Sequence, residues 1–207
     1  MMNNQINSKV EAIIFDLGNV LVKIDYQKFL ENLSLNGKYT ESEIYNLLAE
    51  PAILYEKGII NSKTFYEKGI EKIALRIDYK HFYYAWCSVV SELVDGIDKV
   101  VDKLNKKFPL YLLSNTNEAH MKYIQDNFKI LKYFKEYFLS YKIGSMKPEK
   151  EIYEYMLGKL NFKPEELFYI DDKLENVKAA QEFGIHSYNF INSNELIKHL
   201  QSINLME

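Results

Sequence analysis

The sequence predicts an α/β protein: a doubly wound, Rossmann-like parallel sheet carrying an inserted all-helical cap. Three observations predict it. Short apolar runs end abruptly in polar clusters, as buried parallel strands do. Segments with apolar residues at helical spacing separate those runs, the pattern of βαβ units. One stretch of about 70 residues shows helical spacing and no clear strand.

Taken in order, Ala12-Ile13-Ile14-Phe15 reads as the first strand, closed by Asp16 and the turn signal Gly18-Asn19. From about Lys23 to Leu93 the spacing is helical: Phe29, Leu30 and Leu33; Ile44, Leu47 and Leu48; Phe65, Ile70 and Ile73; Phe82, Trp86 and Val90. Tyrosines crowd this stretch, mostly as core, with a minority free to line a pocket. Ile97, Val100, Val101 and Leu104 form the next helical face. A second strand is Leu110 to Leu113, closed by Ser114-Asn115-Thr116-Asn117, and a third is Tyr137 to Ser140, before Gly144. Ile152, Tyr155, Met156 and Leu160 mark a helix with Pro148 in its first turn. Leu167 to Ile170 is a fourth strand, closed by Asp171 and Asp172, and a fifth runs from His186 to Phe190 after the Gly184 stop. The expected division is residues 1–23 and 94–207 as the α/β core and 24–93 as the helical cap. Hinges are expected near Ile24-Asp25 and Val94-Asp95-Gly96.

The chain has 207 residues, 47% hydrophobic and 27% charged, the balance of a soluble globular protein. Its formal charge is −3, and Arg76 is the only arginine. That argues against nucleic acid, whose phosphates demand a basic face. No apolar run approaches the ~20 residues of a membrane span, and the polar start from Met1 to Val10 shows no signal peptide, so a cytoplasmic location is expected. The lone Cys87, beside Ala85, Trp86 and Val89, excludes a disulfide framework and reads as a small buried hydrophobe.

In a doubly wound sheet, ligands bind at the carboxyl ends of the strands. Those ends offer Asp16 with Gly18, Ser114-Asn115, Lys147 and Asp171-Asp172, at separations of 98, 33 and 24 residues. The last two separations fit one helix-plus-strand crossover each; the first fits with the helical insertion between. Three carboxylates meeting at one edge cannot all stay ionised without a cation. Oxygen ligands beside a phosphate site favour Mg²⁺. The chemistry implied is phosphoryl transfer with a carboxylate nucleophile, a metal and a charge-offsetting lysine.

These residues resemble the haloacid dehalogenase-like hydrolase superfamily. Phe15-Asp16-Leu17-Gly18-Asn19-Val20-Leu21-Val22 is similar to its first motif and Leu112-Leu113-Ser114-Asn115 to its second. Lys147-Pro148 is similar to the third motif, and Ile170-Asp171-Asp172 with Asn176 to the fourth. The variants look closest to phosphatases of the bacterial α-glucose-1-phosphate phosphatase type. The resemblance implies that Asp16 attacks phosphorus and, with the Gly18 carbonyl, Asp172 and Asp171 (direct or through water), binds Mg²⁺. It further implies that Ser114 and the Asn115 amide hold the phosphoryl oxygens and that Lys147 offsets charge. A small phosphorylated metabolite is the expected substrate, and the chain a monomer or homodimer.

One position departs from the family. Most phosphatases of the superfamily carry a second aspartate two residues after the nucleophile, a general acid–base worth roughly 10²–10⁴-fold; here Gly18 stands there. A phosphate on an anomeric oxygen leaves as a weakly basic hemiacetal oxyanion and needs that proton less. Water, the substrate's own hydroxyls, His120 or a cap residue such as Tyr55 or Glu56 are alternative relays, and Tyr55, Glu56 and Lys57 are expected to approach the leaving group. Competing readings are a 2-haloacid dehalogenase, which the metal-binding acids argue against, a non-catalytic phospho-ligand binder, and a phosphatase for another metabolite.

Overall fold

A computed structural model describes residues 10–35 and 37–207; the polar start at residues 1–9 lies outside them. The first strand, β1 (Ala12–Phe15), leads through a tight loop into β2 (Val22–Ile24). Four helices follow, α1 (Tyr26–Asn32), α2 (Glu41–Glu56), α3 (Ser62–Lys72) and α4 (Tyr79–Ser88), and the chain returns along β3 (Val90–Leu93). The remainder alternates as α5 (Ile97–Asn105), β4 (Leu110–Ser114), α6 (Glu118–Asn127), β5 (Phe134–Leu139), the single turn α7 (Ser140–Ile143), α8 (Lys150–Lys159), β6 (Leu167–Asp171), α9 (Leu174–Glu182), β7 (His186–Asn189) and α10 (Ser193–Ser202).

The main sheet has the order β5-β4-β1-β6-β7 with every pair parallel. Successive side chains of a strand face opposite sides, and the packing follows that rule. Ile13, Phe15, Leu110, Leu112, Phe168 and Ile170 join the cluster with α5, α6 and α10. Ala12, Ile14, Tyr111, Leu113, Leu167 and Tyr169 join the one with α8 and α9. Both faces are covered, so the expected doubly wound α/β fold is the observed one. Register then decides where chemistry can occur. Phe15 lies opposite Leu112 on one side and Ile170 on the other, so the three strands end within two residues of one level.

The four helices start at polar caps: Asp25, Thr40, Asn61 and Asp78 each accept from a backbone N–H of the first turn. Their apolar faces meet in a separate aromatic cluster built on Phe29, Phe65, Phe82 and Trp86. Ala119 of α6 closes that cluster, seating the helices on the sheet domain.

Four expectations need correction. β2 and β3 form an antiparallel ribbon inside the stretch expected to lack strands, with Val22 opposite Leu93 and Ile24 opposite Val90; Val90 therefore extends no helix. Pro148 lies in the turn before α8, which begins at Lys150. Tyr155 is an exposed residue and Tyr153 the buried one, so the buried face of α8 is rotated from the expected one. β5 begins at Phe134, three residues before the expected start. Gly96, with φ of 75°, adopts the left-handed conformation that glycine tolerates best and starts α5 immediately after the ribbon. No helix among the described residues is long and apolar enough to cross a membrane.

Candidate active site

Asp16 is the first residue past β1, tied to the sheet by its N–H to the Ile170 carbonyl (2.8 Å). Asp171 ends β6, Ser114 ends β4, and Lys147 comes from the turn after α7. The topology brings these together: Lys147 Nζ lies 2.7 Å from Asp16 Oδ1, 2.7 Å from Asp171 Oδ2 and 2.9 Å from the Leu113 carbonyl it donates to. The Asn115 side chain fixes the lysine's backbone, accepting from its N–H and donating to its carbonyl, each at 2.8 Å. Asp171 is wholly buried and its oxygens are saturated. They accept from Lys147, the Tyr169 hydroxyl, the Asn176 amide and the Lys173 N–H.

Asp172 completes the cluster: oxygens of Asp16, Asp171 and Asp172 all lie within 4.8 Å of one another. The loop after β1 meets it through Asn19, held at φ 55°, which accepts from the Ile24 N–H and donates to Asp172 Oδ2 (3.4 Å). Asn19 was not among the expected site residues, although it stands in the first motif. Tyr169 was also missed, reading from sequence as an ordinary strand residue.

Electrostatics follow from this crowding. Burial, opposed by Lys147 and reinforced by Asp171, pushes Asp16 up to about 7. Burial drags the Lys147 ammonium down, but Asp16 and Asp171 more than reverse that and hold it above its ordinary value. Burial would raise Asp171, yet Lys147 and the surrounding donors keep it below. Asp172 is raised by burial and by Asp171. Three carboxylates against one ammonium leave two negative charges in excess. An all-oxygen donor set with that excess fits a hard divalent cation.

A cavity of about 350 Å³ opens at this edge. Asp16, Gly18, Ser114, Asn115 and Asp172 line it, while Lys147 and Asp171 are almost wholly enclosed and do not. From the helices come Tyr26, Tyr45 and Glu56. Of the three residues expected to approach the leaving group, only Glu56 lines the cavity. Tyr55 is 2% exposed within the aromatic cluster, its hydroxyl accepting from the Ala119 N–H, and Lys57 pairs with Glu149. His120 reaches the cavity wall, but both ring nitrogens are engaged. Nδ1 accepts from the Asn117 amide (3.2 Å) and Nε2 donates to the Trp86 carbonyl (2.9 Å). Burial, opposed by the Trp86 bond, lowers its pKa to about 4, so the ring is neutral and structural near pH 7.

A doubly wound sheet whose carboxyl edge joins three aspartates, a lysine and a serine defines a class of hydrolases. The chain belongs to the haloacid dehalogenase-like hydrolases, whose family model matches residues 10–184. It is similar to a D-ribitol-5-phosphate phosphatase of Bacteroides thetaiotaomicron, 25% identical over 195 residues that span 86% of this chain and 91% of that protein. Among solved structures, a HAD family enzyme of the same organism superposes with a TM-score of 0.82 at 31% identity, covering 94% of this chain and 99% of that one. An aspartate-to-alanine mutant of that enzyme, in complex with magnesium and inorganic phosphate, superposes with a TM-score of 0.77 at 30% identity, covering 89% of this chain and 95% of that one.

Proposed function

We propose that the chain is a Mg²⁺-dependent phosphatase of a small phosphorylated metabolite in the cytoplasm, a sugar or sugar-alcohol phosphate, working through an aspartyl-phosphate on Asp16. The contact of buried Lys147 with both Asp16 and Asp171 carries this reading. It holds one carboxylate at the cavity wall as a nucleophile and places a fixed positive charge beside it. A positioned charge of this kind is the main catalytic device in phosphoryl transfer.

In this reading an Asp16 oxygen attacks phosphorus, while the Ser114 hydroxyl and the Asn115 N–H donate to the phosphoryl oxygens. Asp16, the Gly18 carbonyl and Asp172 would hold the cation. Asp171, its oxygens already engaged, would reach it through water. Bound Mg²⁺ supplies the positive charge that offsets the crowded carboxylates and the phosphoryl oxygens. Residues 24–93 act as a cap that closes on the sheet edge and excludes water, with the β2–β3 ribbon and Gly96 at its connections.

Glucose 1-phosphate is the first specific candidate, because an anomeric leaving group tolerates the missing side chain at Gly18. A sugar-alcohol phosphate is the second, supported by the relative that bears that activity in its name. The test is phosphate release from about a hundred phosphorylated metabolites, with Mg²⁺ and with EDTA. Release confined to Mg²⁺ and concentrated on sugar phosphates is the expected outcome. Chloride release from a 2-haloacid without metal would point to a dehalogenase instead. Tight binding of Mg²⁺ and beryllofluoride with no turnover would point to a binding protein.

A further inference from the structure

Hydrolysis through an aspartyl-phosphate moves two protons: one goes to the departing ester oxygen, one comes off the attacking water. On the sheet side of the cavity, Gly18, Asp171, Lys147 and His120 offer no free group for either. Gly18 has no side chain, and a Cβ there would come 3.2 Å from Ile24 Cγ1, so Ile24 occupies the space beside it. Asp171 is saturated with donors, Lys147 is shared between two carboxylates, and His120 has both nitrogens engaged. An anomeric leaving group eases the first proton transfer only; the water in the second step still needs a base.

The helical side supplies one. Glu56, the last residue of α2, is half-buried in the wall of the same cavity as Asp16 and Ser114. Among the described residues its carboxyl makes no hydrogen bond and no ion pair. The charged and titratable groups sharing that wall are Tyr26 and Tyr45 from the helices, and Asp16, His120, Asp172 and Lys173 from the sheet side. Resting on the phosphatase reading above, we propose that Glu56 is the general acid and base of this enzyme, taking from the cap the role that Gly18 cannot fill.

The cycle balances. Asp16 Oδ bonds to phosphorus, the phosphorus–ester oxygen bond breaks, and the ester oxygen leaves with that electron pair and takes the proton of the Glu56 carboxyl. Water oxygen then bonds to phosphorus, the bond to Asp16 breaks with its electrons returning to the carboxylate, and the water's proton passes to Glu56. Glu56 ends as it began, and the products are the alcohol and inorganic phosphate. Burial, slightly offset by Lys173, lifts the Glu56 carboxyl to about 7, which makes both protonation states accessible near neutral pH.

The test is rapid-mixing kinetics with Mg²⁺, comparing p-nitrophenyl phosphate, whose leaving group needs no proton, with ribitol 5-phosphate. For Glu56→Gln the expected result is a stoichiometric nitrophenol burst at the wild-type rate. Steady-state turnover then falls roughly 10²–10⁴-fold, and the alkyl phosphate gives no burst. Glu56→Asp should retain part of the turnover. Burst and steady-state rates of Glu56→Gln within twofold of wild type on both substrates would overturn the role, as would a change in KM alone. A wild-type protein silent on every phosphate ester would overturn the phosphatase reading itself, and this role with it.

Discussion

On the sheet side of the cavity Asp171 accepts from Lys147, Tyr169, Asn176 and the Lys173 N–H; on the helical side Glu56 accepts from none of the described residues. The same contrast runs through the surroundings. The sheet edge is a closed polar network in which removing one partner strands a buried charge. The helices instead meet through aromatic rings, with Phe29 and Phe82 edge to face at 5.7 Å and Phe65 tilted against Trp86 at 4.6 Å. Such packing is weakly directional and tolerates readjustment better than a hydrogen-bonded charge network. In the proposed reading the nucleophile sits on the hydrogen-bonded wall, and proton transfer and substrate contact fall to the aromatic-packed one.

This comparison can be broken most visibly at its rigid end. Asp16→Asn should lower phosphate release by at least about 10³-fold, as loss of a nucleophile does, while the circular-dichroism spectrum stays unchanged. Next comes Lys147→Met, which leaves Asp16 and Asp171 facing each other without their ammonium. We expect about 3–5 kcal/mol of lost stability in urea titrations without metal, and a smaller loss when Mg²⁺ is present.

The contact between the walls gives the third test. His120, on α6, donates to the Trp86 carbonyl of α4 and is neutral when folded. Its pKa is about 4 in the fold against 6.5 when free. Between those values the unfolded chain binds a proton that the folded chain refuses. Stability is thus full above pH 6.5 and declines as pH falls, by about 3 kcal/mol at pH 4. Urea midpoints across that range should show the decline, and His120→Gln should flatten it. The smallest effect belongs to the adaptable wall: Tyr45, 50% exposed, lines the cavity. Tyr45→Ala should change stability by less than about 0.5 kcal/mol but shift KM among sugar phosphates severalfold, with kcat nearly constant.

Much of the rigid wall was legible in the sequence. Strands buried on both faces read as unbroken apolar runs, and the polar residues that end them stand out by contrast. Asp16, Ser114, Asp171 and Asp172 stand out this way, Lys147 by its spacing from them, and parallel pairing brings the three strand ends side by side. The ribbon was not legible, because Val22-Lys23-Ile24 and Val90-Ser91-Glu92-Leu93 are short and half-exposed, with Lys23 drawn to Glu92 and Asp95. Nor could sequence choose among Tyr55, Glu56 and Lys57. Consecutive helix residues point about 100° apart, and only the seating of α2 decides that Tyr55 turns into the aromatic cluster while Glu56 meets the cavity. Asn19 escaped because its value lies in a left-handed backbone that lets one side chain bridge Ile24 and Asp172.

The central claim is covalent catalysis by Asp16, and peptide mass spectrometry of acid-quenched enzyme tests it most directly. Wild-type protein mixed with Mg²⁺ and substrate for less than one turnover should carry a phosphoryl group on the peptide containing Asp16, and Asp16→Asn should carry none. A phosphoryl group on any other residue, or Asp16→Asn turning over at the wild-type rate, would contradict the account.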